Sequence, residues 1–165
     1  MFWLKCLKIF SPNSNKKVIG LDMFSGFPNT LNKIEKKSAK KYVKKSEFKG
    51  LDPNKLRILA SKISKENKFE LIKGDVSKTA KEYTAKNYGF KISLLHLDLD
   101  TYKGTKSALK YFYPKISRGG IIILDEYASR GWGETQAVDE FIKDKKYKVE
   151  TLENTDTPTG YIKVI

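Results

Sequence analysis

The sequence predicts an α/β fold of three layers, with a doubly wound, mostly parallel sheet between helices. Three observations predict it. Strand-like and helix-like segments alternate from residue 16 to residue 143, as in parallel strands joined by right-handed crossovers. Two apolar runs end in acids, Asp98-Leu99-Asp100 after residues 92–97 and Asp125-Glu126 after residues 121–124. Parallel neighbours would bring both acid pairs to one edge of the sheet, where such folds place ligands. Two strand-like segments close the chain with no helix between them, which predicts an antiparallel hairpin at one edge.

The elements follow in order. Residues 2–10 (FWLKCLKIF) read as the end of a buried helix, stopped by Ser11-Pro12-Asn13. Residues 16–24 read as a strand ending at Asp22, and Ser25-Gly26-Phe27-Pro28 as a turn. Residues 29–50 are lysine-rich with no clean apolar period, which predicts a solvated loop, a weak helix or a mobile flap. Asp52-Pro53 starts a helix, an N-cap acid followed by proline at the first helical position, with Leu56, Ile58, Leu59 and Ile63 on its apolar face. Residues 69–76 form a strand ending at Gly74-Asp75, and 77–88 a helix. Residues 92–97, 105–113, 121–124 and 134–143 continue as strand, helix, strand and helix. Residues 147–152 and 160–165 are the closing strands. No repeat or Pro/Ser-rich linker divides the chain, so residues 1–165 read as one domain.

At 165 residues and 39% hydrophobic, the chain has enough apolar material for a real core. Its net charge of +14 favours anionic partners in general. The lysines are spread over nearly the whole chain, which argues for solubility and against a dedicated nucleic-acid surface. Cys6 is the only cysteine, so no internal disulfide and no Cys-rich metal site is possible. Residues 1–10 are too short and too interrupted by Lys5 and Lys8 for a signal peptide or a membrane span. A cytoplasmic protein is expected.

Several acids sit where chemistry is done. Asp22 ends a strand and can accept two hydrogen bonds from a ribose diol, or simply make a turn. Asp75, after Gly74, can bond an adenine amino group or cap the next helix. Asp98, Asp125 and Glu126 end apolar strands. Charge there needs a partner, and a divalent cation would supply one; the competing reading is strand ends open to water. His96, inside LLHLDL, suits a hydrogen-bonded packing role. Trp132, between Gly131 and Gly133, would line a pocket or pack a loop.

These residues resemble a family. LHLDLDTYKGTKSALKYFYPKISRGGIIILDEYASRGWGETQAVDEF is similar to the second half of the macrocin-type (TylF-like) O-methyltransferases. That pattern runs Asp-x-Asp-x-Tyr, a Tyr-Pro-Lys segment, Gly-Gly, a strand, Asp-Asp-Tyr, and a later Gly-x-x-x-Ala-Val-Asp-x-Phe. LDMFSGFP and IKGDV match two earlier segments, and residues 29–66 match least well. The resemblance implies a class I, Rossmann-like methyltransferase fold using S-adenosylmethionine (SAM), with Mg²⁺ or a similar divalent ion. It implies Asp98, Asp125 and Glu126 as metal ligands, Glu126 departing from the usual Asp. Asp22 falls to the cofactor ribose, Gly74 and Asp75 to the adenine region, and Asp100 to the base that takes the hydroxyl proton. The acceptor would be a hydroxyl on a sugar or similar small molecule.

The family also carries a strand and a glycine-rich turn ahead of its first helix, and nothing in this sequence resembles them. The expectation is a sheet lacking its central strand, with a gap between the Asp22 and Asp98 strands and their backbone groups unpaired. Three readings follow: a metal-assisted SAM O-methyltransferase; a truncated or split form of one, inactive alone, completed by another chain or by nothing, its exposed strand edges favouring poor solubility or a homo-oligomer; or an Asp-x-Asp nucleotide-sugar glycosyltransferase using Asp98 and Asp100.

Overall fold

The computed structural model describes residues 1–47, 50–143, 145–153, 155 and 159–165. Its strands are β1 (Val18–Asp22), β2 (Phe69–Lys73), β3 (Ile92–Leu97), β4 (Ile116–Leu124), β5 (Glu150–Thr151) and β6 (Gly160–Lys163). Its helices are α1 (Phe2–Phe10), α2 (Lys33–Ser46), α3 (Pro53–Ile63), α4 (Val76–Lys86), α5 (Tyr102–Phe112) and α6 (Glu134–Ile142).

The strands form two sheets. β1 pairs with β2 in parallel, Val18 opposite Phe69 and Asp22 opposite Lys73. The other sheet has the order β3-β4-β6-β5. β3 and β4 are parallel, whereas β6 runs antiparallel to both β4 and β5. The closing hairpin therefore lies at a sheet edge, as the sequence predicts. β1 and β3 are end strands of separate sheets, so the expected gap is present.

α3 packs on α1 and β2, while α4, α5 and α6 pack one on the next. The core joins α4 and α5 to the larger sheet through Val76, Ala80, Leu97, Leu109, Phe112, Ile122, Leu124, Val138 and Ile162. Ile122, Val138 and Ile162 are fully buried. Removing any of these to Ala would cost about 2–5 kcal/mol.

One open reading resolves to a helix, and three sequence expectations need correction. Residues 29–50 contain a regular 14-residue helix, α2, with Phe48 and Lys49 outside the described residues. Asn32 caps it: its side chain accepts the Ile34 and Glu35 amides, and Glu35 reaches back to the Asn32 amide. α1 is not buried all round, since Phe2, Ile9 and Phe10 are 66%, 69% and 80% exposed and only Leu4 is enclosed. On α3 the inward face is Leu56, Ala60 and Ile63, while Ile58 and Leu59 face solvent. β4 starts at Ile116, not 121. Gly119 adopts positive φ and its amide bonds Val164, which carries the strand through an irregular register opposite Ile92–Leu94.

Candidate functional site

The carboxyl ends of β1, β2 and β3 open onto one cleft of about 520 Å³. Its walls include Asp22, Gly74, Asp75, Asp98, Asp100 and Glu126. Six of the seven residues expected at the site thus line one cavity. Asp125 is outside the lining, and its Oδ1 accepts the Thr159 hydroxyl at 3.4 Å.

Local geometry explains each position. Asp22 turns the chain out of β1 by accepting the Phe24 amide on Oδ1. That turn is the structural role open to Asp22, and its second oxygen accepts no hydrogen bond among the described residues. Gly74 leaves β2 at φ 146, donating its amide to the Asp22 carbonyl at 2.9 Å. A Cβ there would meet Thr79 Cγ2 at 2.7 Å. Asp75 caps α4 through the Ser77 amide at 2.8 Å and accepts the Thr30 hydroxyl at 3.1 Å on its other oxygen. Its helix-capping role is realised at the cleft wall.

Asp100 and Glu126 both hold left-handed backbone, φ 56 and 53, which is uncommon outside glycine and concentrates at functional sites. At Asp100 this geometry aims the carbonyl at the start of α6. It accepts the Gly133 and Glu134 amides at 2.8 and 3.0 Å. The Asp98–Tyr102 turn is clamped from two more sides. Glu35 Oε1 accepts the Tyr102 amide at 2.6 Å, and Glu134 Oε2 accepts the Leu99 amide at 3.3 Å.

The electrostatics are those of crowded acids. Burial pushes Asp100 up to about 7, with Glu126, Asp98 and Asp125 adding to the shift. Asp98 is raised by desolvation and then by Asp125, against a lowering contribution from His96. Glu126 is raised by desolvation, then by Asp125 and Asp98. Glu134, 3% exposed, is pushed up to about 8 by burial, and its Oε1 has no hydrogen-bond partner among the described residues.

The facing wall is aromatic. Phe27 stacks on Trp132 with centroids 5.3 Å apart, and Tyr42 meets Phe27 edge-on at 5.9 Å. All three line the cleft. Sequence reasoning raised Trp132 but missed Phe27, Tyr42, Glu35 and Glu134. The Asn32-x-x-Glu35 capping box was the available signal for Glu35. His96 is a hydrogen-bonded side chain as expected, accepting the Trp3 indole N–H at 3.0 Å.

A macrocin-O-methyltransferase (TylF) family model matches residues 4–163. The chain belongs to the TylF family. Solved structures share the fold. The O-methyltransferase NovP matches with a TM-score of 0.78 at 19% identity, over 98% of this chain and 65% of that one. CalS11, a calicheamicin methyltransferase, matches with 0.74 at 22%, over 98% and 65%. An O-methyltransferase from Bacillus cereus in complex with SAH matches with 0.52 at 10%, over 98% and 79%. This TylF-family chain spans just under two thirds of the length of NovP and CalS11. No curated protein matches it.

The acids of this TylF chain suit a hard cation in donor chemistry. Asp125 lies close enough to Asp98 and Glu126 to raise both. Among the described residues, however, no three His, Cys, Asp or Glu side chains are grouped as a metal cage. An Mg²⁺-type ion needs only one or two carboxylates, completed by water and substrate oxygens. The open cleft leaves room for those. No helix among the described residues is long and apolar enough to cross a membrane.

Proposed function

We propose that the chain carries the acceptor side of a SAM-dependent O-methyltransferase that acts on a hydroxyl of a sugar or similar small molecule, in the cytoplasm. The observation that carries this is the single cleft. It sets strand-end acids next to a stacked aromatic wall at the carboxyl edge of β1, β2 and β3. One structural neighbour, CalS11, is described as a TDP-rhamnose 3'-O-methyltransferase, which supports a sugar acceptor. Family membership favours methyl transfer over the glycosyltransferase reading of Asp98-Leu99-Asp100.

When bound, SAM would supply an electrophilic methyl group, and a divalent ion, for which Asp98, Asp125 and Glu126 are the candidate ligands, would lower the pKa of the acceptor hydroxyl. The remaining tasks belong to the chain. Asp22 would offer its carboxylate to the ribose hydroxyls, and Gly74 and Asp75 would border the adenine. Phe27 and Trp132 offer an apolar face to the acceptor ring and exclude water. Asp100 takes the hydroxyl proton on its carboxylate. A base with a pKa of about 7 is well matched to that task near neutral pH.

A second reading, in which another chain completes the site, is favoured by one feature. The cleft shares Leu21, Asp22, Val76, Asp98 and Leu99 with a second cavity that runs down between β1 and β3. The floor of the cofactor side therefore opens inward. Calorimetric titration of SAH, together with transfer of labelled methyl from SAM to a nucleotide-linked deoxysugar, tests both readings. Methyl transfer that needs Asp98 and Asp100 supports the function. Micromolar SAH binding by the isolated chain would exclude the need for a completing chain.

A further inference from the structure

One turn of α2 grips the Gly131-Trp132-Gly133 segment at both glycines. Ser38 donates its hydroxyl to the Gly131 carbonyl at 2.8 Å, across 93 positions of sequence. A Cβ on Gly131 would meet Ser38 Oγ at 2.8 Å, and Gly131 holds φ 91, backbone that suits glycine. Glu35, three positions before Ser38 and so on the same side of the helix, closes on Gly133, where a Cβ would collide with its Oε1. Each glycine beside Trp132 therefore lies against a polar side chain of α2, with no room for a methyl group.

The two grips have different tasks. The Gly133 end is tied to the catalytic turn, since the Asp100 carbonyl accepts the Gly133 and Glu134 amides. The Gly131 end carries the indole. Of the three residues only Trp132 lines the cleft, where it stacks on Phe27 with rings inclined by 24°. Tyr42, one turn beyond Ser38 on α2, meets Phe27 edge-on. α2 thus builds the aromatic wall twice, directly with Tyr42 and through the Gly131 carbonyl with Trp132. Ser38 caps neither helix: Asn32 and Glu35 cap α2, and the Asp100 carbonyl caps α6. The one hydrogen bond of its hydroxyl among the described residues goes to the tryptophan segment. Without it the indole would gain freedom while the Asp100 junction stayed closed, and a ligand would have to order the ring again on binding.

We propose that Ser38 is a positioning residue for the acceptor. Through the Gly131 carbonyl it fixes the Trp132 indole as a preformed platform for one face of the acceptor ring, and so sets acceptor affinity rather than the rate of the chemical step. The hold on the indole stands on its own geometry. Its effect on acceptor binding rests on the methyl-transfer reading above.

The test uses the full chain in a Trp3→Phe background, which leaves Trp132 as the sole tryptophan. Ser38→Ala should raise acrylamide quenching of Trp132 by about twofold and the KM for the nucleotide-linked deoxysugar by about fivefold, with kcat and SAH affinity held within about twofold. Ser38→Thr keeps the hydroxyl and should return quenching and KM to the parent values. Gly131→Ala presses a methyl group against Ser38 Oγ from the other side and should reproduce the Ser38→Ala pattern. Unchanged quenching in both Ser38→Ala and Gly131→Ala overturns the hold on the indole. Ser38→Thr behaving like Ser38→Ala overturns the role of the hydrogen bond. A fall in kcat at unchanged KM overturns the acceptor role, because Ser38 would then act through the Asp100 turn. Quenching needs no methyl transfer: a parent that moves no methyl group to this sugar strikes the methyltransferase reading, while the hold on Trp132 stands or falls by quenching alone.

Discussion

Glu35 Oε1 accepts the backbone N–H of Tyr102 at 2.6 Å, across 67 positions of sequence. Its Oε2 accepts the Asn32 amide at 2.8 Å, and the residue is 1% exposed. One buried carboxylate therefore caps two helices, its own α2 and the distant α5. It also fixes the end of the turn that carries Asp98 and Asp100. Glu35→Ala strands two amide donors and should cost about 3 kcal/mol, whereas Glu35→Gln, which keeps one acceptor, should cost about half that. Urea unfolding of the two variants checks the ratio. Equal losses would mean that packing, not hydrogen bonding, explains the residue.

Gly133 completes that junction. A Cβ there would meet Glu35 Oε1 at 2.3 Å, Tyr102 Cβ at 2.5 Å and the Tyr102 nitrogen at 2.6 Å. Gly133→Ala should destabilise by about 3 kcal/mol through overpacking. It should also disturb exchange at Tyr102 more than at Trp132, its own sequence neighbour. A neutral result would show that α2 moves away freely.

The sequence exposed what local physics decides. Asp52 and Asp75 are found as helix caps because cap and helix are adjacent in sequence. The apolar runs before Asp98 and Asp125 betray buried strands. The start of α5 was misplaced by three residues, since Thr101 makes no side-chain cap and the true partner is Glu35, on another helix. α6 likewise takes its cap from the Asp100 carbonyl. α2 was blurred because its buried strip is Glu35 and Ala39 rather than a run of large apolar residues. The acids of the site were legible as strand ends. The aromatic wall was not, because Phe27, Tyr42 and Trp132 meet only after three separate segments fold together.

Glu134 predicts a pH dependence of stability. Between its ordinary value of 4.5 and its folded value of about 8, the native state keeps a proton that the unfolded state has released. Stability from this group therefore falls as pH rises through that window and is flat above it. Glu134→Gln does not titrate and can still accept the Leu99 amide. Without divalent ions it should match the parent at pH 4.5 and exceed it by a few kcal/mol at pH 9, each pKa unit being worth about 1.4 kcal/mol. Parallel curves for the two proteins across pH 5–9 would remove the basis for this prediction.

Divalent ion binding should depend unequally on the three acids. Asp98 and Glu126 face the cleft, while Asp125 stands outside its lining and accepts the Thr159 hydroxyl. Asp98→Asn should weaken Mn²⁺ binding by tenfold or more, and Asp125→Asn should weaken it less, read by titration calorimetry of the metal alone. Addition of Mg²⁺ should also lower the pKa of Asp100, because a cation offsets the neighbouring carboxylates that raise it. Identical affinities in all variants would place any bound ion elsewhere.

Asp100 carries the last prediction. Its carboxyl is held up near 7 first by burial and then by Glu126, Asp98, Asp125 and Glu35. A base works only when deprotonated, so single-turnover methyl transfer should rise with pH through about 7 and then level. With Mg²⁺ bound, the same rise should move to lower pH. Asp100→Asn keeps the shape and the main-chain acceptor that caps α6, but cannot take a proton. It should slow the chemical step by about 10²–10⁴-fold while changing SAH affinity less than threefold, because proton transfer contributes to the barrier and not to cofactor binding. The measurement pairs rapid-quench kinetics with SAH calorimetry on the parent and the Asp100→Asn variant. A matching loss of SAH affinity would make Asp100 a residue that positions ligand, leaving the base to be sought among Asp98 and Glu126.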